Sequence, residues 1–265
     1  MKKLFNYLQI FCIFILISPF IAAWVPSIFD SFLTNLTPAY RSSFVLSFQQ
    51  LSITLLATLV FAASITIMLG YISILWPVIG TITAVLLEAI ESIPAILIAL
   101  FCYAPVSGYL ASHSEASSSV VSLMIFIFAA TLTTLPESIR GITLPLGELY
   151  YQKYSLSFRS YGFRRRKILA VLMGTQTMRH AFKRISAGIL LKILVLDCSF
   201  GFIIQLGFGS YGTPAHASPG ALIAANRDAL FQGGSPLLFW LPVLPLVMIS
   251  IAFLFVLAKD KESDI

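Results

Sequence analysis

The chain has 265 residues, of which 58% are hydrophobic and only 11% are charged. A soluble domain usually carries about 25% charged residues, so this composition excludes a water-soluble globular protein and indicates a chain that faces lipid. The net charge of +6 does not indicate nucleic-acid binding, because the basic residues cluster beside apolar segments, as membrane topology rules predict. We therefore expect an all-α membrane protein.

Six apolar segments predict about six transmembrane helices, since roughly 20 apolar residues cross a bilayer. They cover residues 4–24, 51–75, 82–103, 120–135, 185–206 and 236–257. Between them we expect an external segment around residues 25–47, a Ser-rich polar loop at 104–119 and a second external loop at 207–235. The basic start and Ile21-Ala22-Ala23 also fit a cleaved signal peptide. Its long apolar part favours an uncleaved first helix.

A basic stretch, residues 140–184, separates the fourth and fifth segments. With six spans, fourteen Lys and Arg residues lie on one side of the membrane and only Arg41 and Arg227 on the other, with Lys192 inside a span. An excess of Lys and Arg marks the cytoplasmic side. Both termini and the basic stretch are therefore predicted to be cytoplasmic.

Within that stretch we expect a helix over residues 148–159, a break at Gly162 and a further helix from about Arg164. Tyr154, Phe158 and Tyr161 recur at spacings of four and three, so they share one face and could anchor the loop in a partner's groove. Arg159 and Arg164 would flank them. The basic run at 164–167 is better explained by anionic lipid head groups.

Four charged residues lie inside predicted spans, where charges are costly and suggest function. Glu88 and Glu91 share a helix face in the third span and could line a pathway, or pair with basic residues near the end of the span. Lys192 and Asp197 in the fifth span could contact substrate or tie neighbouring helices together.

The sequence resembles the permease subunits of ABC importers of the dipeptide, oligopeptide and nickel family. Three motifs carry the resemblance, and they occur in the family's order and spacing. They are Glu88 with Ser92-Ile93-Pro94, then Arg140-Gly141 with Tyr154 to Phe163, then Leu206-Gly207-Phe208-Gly209 with Pro219-Gly220-Ala221-Leu222. The loop departs from the family pattern, because Leu156-Ser157-Phe158 replaces Glu-Ala-Ala.

The resemblance implies a type I importer permease fold in the bacterial inner membrane. Residues 1–41 would form an added helix and external segment, 42–260 the permease domain and 261–265 a cytoplasmic tail. It assigns contact with the ATPase to Tyr154, Ser157, Phe158, Arg159, Tyr161, Gly162 and Arg164. The charges inside the spans make Glu88, Glu91, Lys192 and Asp197 the candidates for the translocation pathway.

The implied partners are a second similar permease, two ABC ATPases, a substrate-binding protein and membrane lipid. The chain contains no G-x-x-x-x-G-K-[ST] phosphate loop, so ATP and Mg²⁺ would be bound by the ATPases and this chain would be neither an enzyme nor a cofactor binder. Because nickel importers belong to the same family, His113 and His216 could capture a metal ion. Two isolated His residues are better interpreted as solvated loop residues.

Two other interpretations stay open. In an ion-gradient-driven transporter, Glu88, Glu91, Lys192 and Asp197 would be the ion-coupling groups. In a degenerate permease, the chain would be a membrane scaffold that assembles with partners without transporting.

Overall fold

The computed structural model describes residues 2–25, 36–112, 116–208, 217–230 and 235–262. In these ranges the regular structure is helical. The α-helices are α1 (Lys2–Trp24), α2 (Pro38–Leu75), α3 (Pro77–Glu91), α4 (Ala95–Ser112), α5 (Ala116–Tyr151), α6 (Lys153–Ser160), α7 (Arg165–Met173), α8 (Gln176–Ile203), α9 (Pro219–Ala225) and α10 (Leu237–Glu262). A π-helical turn, Ile204–Phe208, extends α8, and a 3-10 turn, Arg227–Leu230, follows α9.

Four described segments are long and apolar enough to cross a membrane: Pro38–Leu75, Val120–Tyr151, Gln176–Leu206 and Leu237–Phe255. The pair α3 and α4 adds a fifth if it is counted as one broken span. The chain is therefore an all-α, multi-pass membrane protein. The predicted last span is confirmed as α10, and α1 forms a 23-residue helix over the first predicted span.

The third predicted span is not a continuous helix. α3 ends at Glu91, α4 begins at Ala95, and the two are bent by 87°. Pro94 explains the break, because proline has no N–H to donate and disfavours helical geometry at the preceding residue. Glu88 and Glu91 consequently lie at the end of a helix and not within a straight span.

The helix of the fourth predicted span is longer than predicted. α5 continues for 36 residues to Tyr151, through Pro136, Pro145 and the first part of the basic stretch. Buried residues such as Ile142 and Leu146 hold this extension against its neighbours, which offsets the backbone hydrogen bonds that the prolines remove. The polar loop predicted at 104–119 is also mostly wrong, because α4 runs to Ser112 and α5 begins at Ala116. His113 and Glu115 lie outside the described residues.

The main core joins α1, α2, α4, α5, α8, α9 and α10. Phe126 of α5 contacts Phe200 of α8 with 5.2 Å between ring centroids, and Tyr103 of α4 meets the same ring edge-on at 5.3 Å. Buried hydroxyls in α5 donate to carbonyls of their own helix, as from Thr131 to Ile127 and from Ser138 to Thr134. These bonds satisfy polar groups where no water is present.

A second, smaller core holds the polar stretch against the long helices. Ile168, Leu169 and Leu172 of α7 are buried together with Ile142 and Leu146 of α5. Tyr71 of α2 also donates a hydrogen bond to the carbonyl of Arg166, at 3.0 Å. α7 is therefore a packed part of the fold and fixes the position of the segment before it.

Candidate functional site

The segment between α5 and α8 contains the predicted loop helices. The structure confirms the break at Gly162, whose φ of +79° suits glycine, and the helix that follows begins at Arg165. The helix predicted over 148–159 is in fact two helices, because Gln152 is extended and separates α5 from α6. α6 is thus a separate eight-residue helix between the 36-residue α5 and the nine-residue α7.

Arg159 contacts the end of α5. Its guanidinium carbon lies 4.1 Å from the centre of the Tyr150 ring, and its Nη2 donates to the Tyr150 carbonyl. Arg165 lies over the same ring at 5.1 Å. Such cation–π contacts contribute about 0.5–2 kcal/mol each. Arg159 therefore ties α6 to the end of α5, whereas the sequence placed it beside the partner-binding face.

The aromatic face of the loop is accessible. The Tyr161 side chain is 80% exposed, and Phe158 and Phe163 are both exposed and pack edge-to-face with 5.8 Å between centroids. Ser157 and Arg164 are also exposed. The Tyr154 side chain lies outside the description. We call Phe158, Tyr161 and Phe163 the aromatic patch.

Arg140 of α5 forms ion pairs with the two acidic residues of α3. Its Nη1 lies 2.8 Å from Glu91 Oε2, and its Nη2 lies 3.5 Å from Glu88 Oε1. The structure thus brings together one residue of the Arg-Gly motif and two of the Glu-containing motif. This arrangement agrees with the interpretation that these carboxylates pair with basic residues near a helix end.

A polar groove lies between α5 and α8, with a cavity volume of about 660 Å³. Its charged residues are Glu137, Arg140, Arg184 and Lys192, together with the titratable His180. Thr134, Ser138 and Thr177 add hydroxyls, and Leu144, Ile185 and Ile189 add apolar walls. A groove of this kind among apolar helices is a candidate binding site.

The two helices that form this groove approach each other at Gly141. A Cβ there would lie 2.9 Å from Ile185 Cδ1, closer than real Cβ contacts. Gly141 therefore leaves room for the end of the Ile185 side chain where α5 and α8 approach.

Lys192 and Asp197, the two charged residues of the predicted fifth span, lie in different surroundings. Lys192 pairs with Glu137 of α5, with 3.7 Å between Nζ and Oε2. Asp197 is 1% exposed and does not line the groove. It lies next to Cys198, whose backbone carbonyl touches Gly220 of α9. Lys192 thus belongs to the groove and Asp197 to helix packing.

Sequence reasoning missed Glu137, His180 and Arg184 as members of a site. The signal was present as spacing on one face of each helix. Residues 134, 137, 138, 141 and 145 of α5, and 177, 180, 181, 184, 188 and 192 of α8, are polar, charged, small or proline. The pattern was missed because the fourth span was predicted to end at residue 135 and the fifth to begin at residue 185, so most of these residues fell outside a predicted helix pair.

Among the residues that the structure describes, no group of three His, Cys, Asp or Glu side chains could hold a metal ion. His113 and His216 both fall outside those residues.

No protein-family model matches the sequence, and no curated protein matches it either.

Proposed function

We propose that the chain is a permease subunit of an ATP-driven ABC importer of the bacterial inner membrane, for peptides or similar small solutes. Both termini and the α6–α7 segment would be cytoplasmic. The chain would pair with a second permease, dock two ATPases that bind ATP and Mg²⁺, and receive substrate from a binding protein. The proposal rests on the residue resemblance together with the geometry of the α6–α7 segment.

The observation that carries the proposal is the construction of α6. It is a short helix between the long α5 and the nine-residue α7, and Arg159 holds it to the end of α5. Phe158 on α6, with Tyr161 and Phe163 just after its end, exposes the aromatic patch. Exposed aromatic residues on a helix are the usual anchors for a groove in a partner protein. α7 is packed into the second core, so a displacement of α6 by a partner would be transmitted to α5 and α8.

The proposed mechanism is alternating access. When ATP closes the ATPases, the docked α6 would move, and the ends of α5 and α8 would move with it. Glu137 and Lys192, in the groove between these helices, would lie on the pathway shared with the second permease. Arg140 with Glu88 and Glu91 would link the bent helix α3 to the same movement.

The experiment is purification of the tagged full chain from its native cells in mild detergent, with identification of the proteins that come with it. We expect an ATPase and a second permease. Tyr161→Asp should lose the ATPase but retain the permease, because a carboxylate in the aromatic patch opposes burial in the partner groove. Tyr161→Phe should behave like the native chain.

A control variant is Gln152→Asp, which adds the same charge in the same segment at an exposed helix N-cap position where Asp is favourable. It should keep both partners. Loss of the ATPase with Gln152→Asp as well would mean that charge alone disrupts the complex. Purification of the native chain without any nucleotide-binding protein would overturn the proposal.

The Glu137–Lys192 pair favours one alternative, an ion-gradient-driven transporter that uses these two residues for coupling. That alternative predicts transport that is abolished by a protonophore or by sodium removal and survives loss of every ATPase. The importer predicts transport that stops with the ATPase. A scaffold without transport would give a stable complex whose ATP hydrolysis ignores added substrate.

A further inference from the structure

The two ends of the groove between α5 and α8 differ in how their charges are balanced. At one end, Lys192 has Glu137 as a partner. At the end nearer α7, Arg140 is paired with Glu88 and Glu91 of α3. Arg184 lines the same groove but forms no ion pair with the described residues. A basic group is therefore left without a counter-charge.

His180 adds a second group without a partner. It lies one helical turn before Arg184 on the same helix, so the two side chains share a face. Its Nδ1 is buried and has no hydrogen-bond partner among the described residues. Buried polar atoms in folded proteins are normally satisfied by protein, water or a ligand. An oxygen-rich anion in the groove would give Arg184 a counter-charge and would lie beside the His180 side chain, which lines the same groove.

The surroundings indicate the kind of anion. Leu144, Ile185 and Ile189 line the same groove, and Leu144 is exposed. An apolar wall does not contribute to the binding of a free inorganic anion. A phospholipid, in contrast, presents a phosphate next to acyl chains that can contact such a wall. Basic pockets between membrane helices are known to receive anionic lipid head groups, and guanidinium groups match phosphate geometry well.

We propose that the end of this groove formed by His180 and Arg184 binds the phosphate of an anionic phospholipid, with the acyl chains along Leu144, Ile185 and Ile189. The site lies beside α7, which packs under α5 and α8. A bound lipid would therefore stabilise the spacing of these two helices next to the α6–α7 segment. This inference requires only that the chain crosses a membrane and does not depend on an ATPase partner.

The test measures lipid binding to the purified full chain by native mass spectrometry and by the shift in melting temperature. The probes are palmitoyl-oleoyl phosphatidylglycerol, the matching phosphatidylcholine and inorganic phosphate. We expect phosphatidylglycerol to bind and raise Tm, and the other two to have little effect. Arg184→Gln should weaken phosphatidylglycerol binding about tenfold, as expected for one charge-assisted hydrogen-bonded contact.

Arg179→Gln is the matched control, because Arg179 is an exposed arginine of the same helix that does not line the groove. It should bind phosphatidylglycerol like the native chain. His180→Phe keeps an aromatic ring but removes both ring nitrogens, and should weaken binding about threefold. His180→Gln, which can still donate and accept, should restore part of this loss.

Several results would overturn the inference. Equal weakening by Arg184→Gln and Arg179→Gln would mean diffuse attraction of lipid to a basic surface. Stabilisation by inorganic phosphate that depends on Arg184 would mean a small-anion site without a lipid. Lipid binding that no variant changes, with a Tm that rises with protein concentration, would mean that a second copy fills the groove. None of these readouts involves ATP, so failure here is distinguishable from failure of the importer proposal.

Discussion

The two ends of α8 are held in opposite ways. Its first two-thirds faces α5 across a polar groove with room for a ligand. Its last turns pack so tightly on α9 that a Cβ at Gly220 would overlap the Cys198 carbonyl, and one at Gly201 would overlap Ser218 Oγ. Contacts between backbones leave no alternative packing, whereas a groove lined by charged side chains does. The end of α8 that packs on α9 is therefore fixed, whereas the end that lines the groove has room to change its packing.

The largest effect is expected from adding one methyl group where the last turns of α8 pack on α9. Gly220→Ala should destabilise the fold by about 3 kcal/mol, at the upper end of the cost of overpacking, because the obstructing atom belongs to the backbone of Cys198. We expect a clearly lower Tm of the purified chain in detergent, measured by a thiol-independent method such as intrinsic fluorescence.

Gly188→Ala provides the control at the other end of α8. Gly188 lines the groove, and a Cβ there would meet no other atom within 4 Å. The substitution should leave Tm unchanged or raise it, since alanine is favoured over glycine inside a helix by about 0.5–1 kcal/mol. If both substitutions lower Tm equally, the two ends of α8 do not differ in packing as described.

A smaller effect is expected where α6 joins the end of α5. Arg159→Gln removes the contact with the Tyr150 ring and the hydrogen bond to its carbonyl, together about 1–2 kcal/mol. Because these contacts hold α6 locally, global stability should change little. Amide hydrogen exchange over residues 153–160 should be about tenfold faster.

Arg166→Gln is the matched control for that measurement. Arg166 is exposed, and its described hydrogen bond with Tyr71 uses the main-chain carbonyl, which the substitution keeps. Exchange over α6 should stay as in the native chain. Unchanged exchange in Arg159→Gln would mean that α6 is held by something other than Arg159.

The break at Gly162 and the start of the helix after it were predictable from the sequence, because local backbone rules determine both. Gly162 interrupts the chain where a positive φ is needed, and a helix follows directly. The long apolar runs likewise predicted α10 and the apolar parts of α2 and α8, since composition alone determines which segments can lie in lipid. The predicted starts were wrong, because α2 begins at Pro38, inside the segment predicted to be external, and α8 begins at Gln176. The count of six spans stays a prediction.

The remaining features depend on tertiary contacts that no local pattern carries. Pro136 and Pro145 are local signals for a helix end, yet α5 continues because Ile142 and Leu146 pack in the second core. The contact of Arg159 with Tyr150 is another case, because spacing gives the face of a residue on its own helix but not the neighbour that it meets. The pairing of Lys192 with Glu137 is of the same kind.

The smallest expected effect concerns the link between α3 and α5. Arg140 lies 2.8 Å from Glu91 but 3.5 Å from Glu88, and all three side chains are substantially exposed. Ion pairs in such positions contribute about 0–1 kcal/mol. Double-mutant cycles with Arg140→Gln should therefore give a larger coupling energy for Glu91→Gln than for Glu88→Gln, with both below about 1 kcal/mol. A coupling of several kcal/mol would mean that lipid or a partner removes water from this cluster, and the groove end nearest α7 would then be as fixed as the contact of α8 with α9.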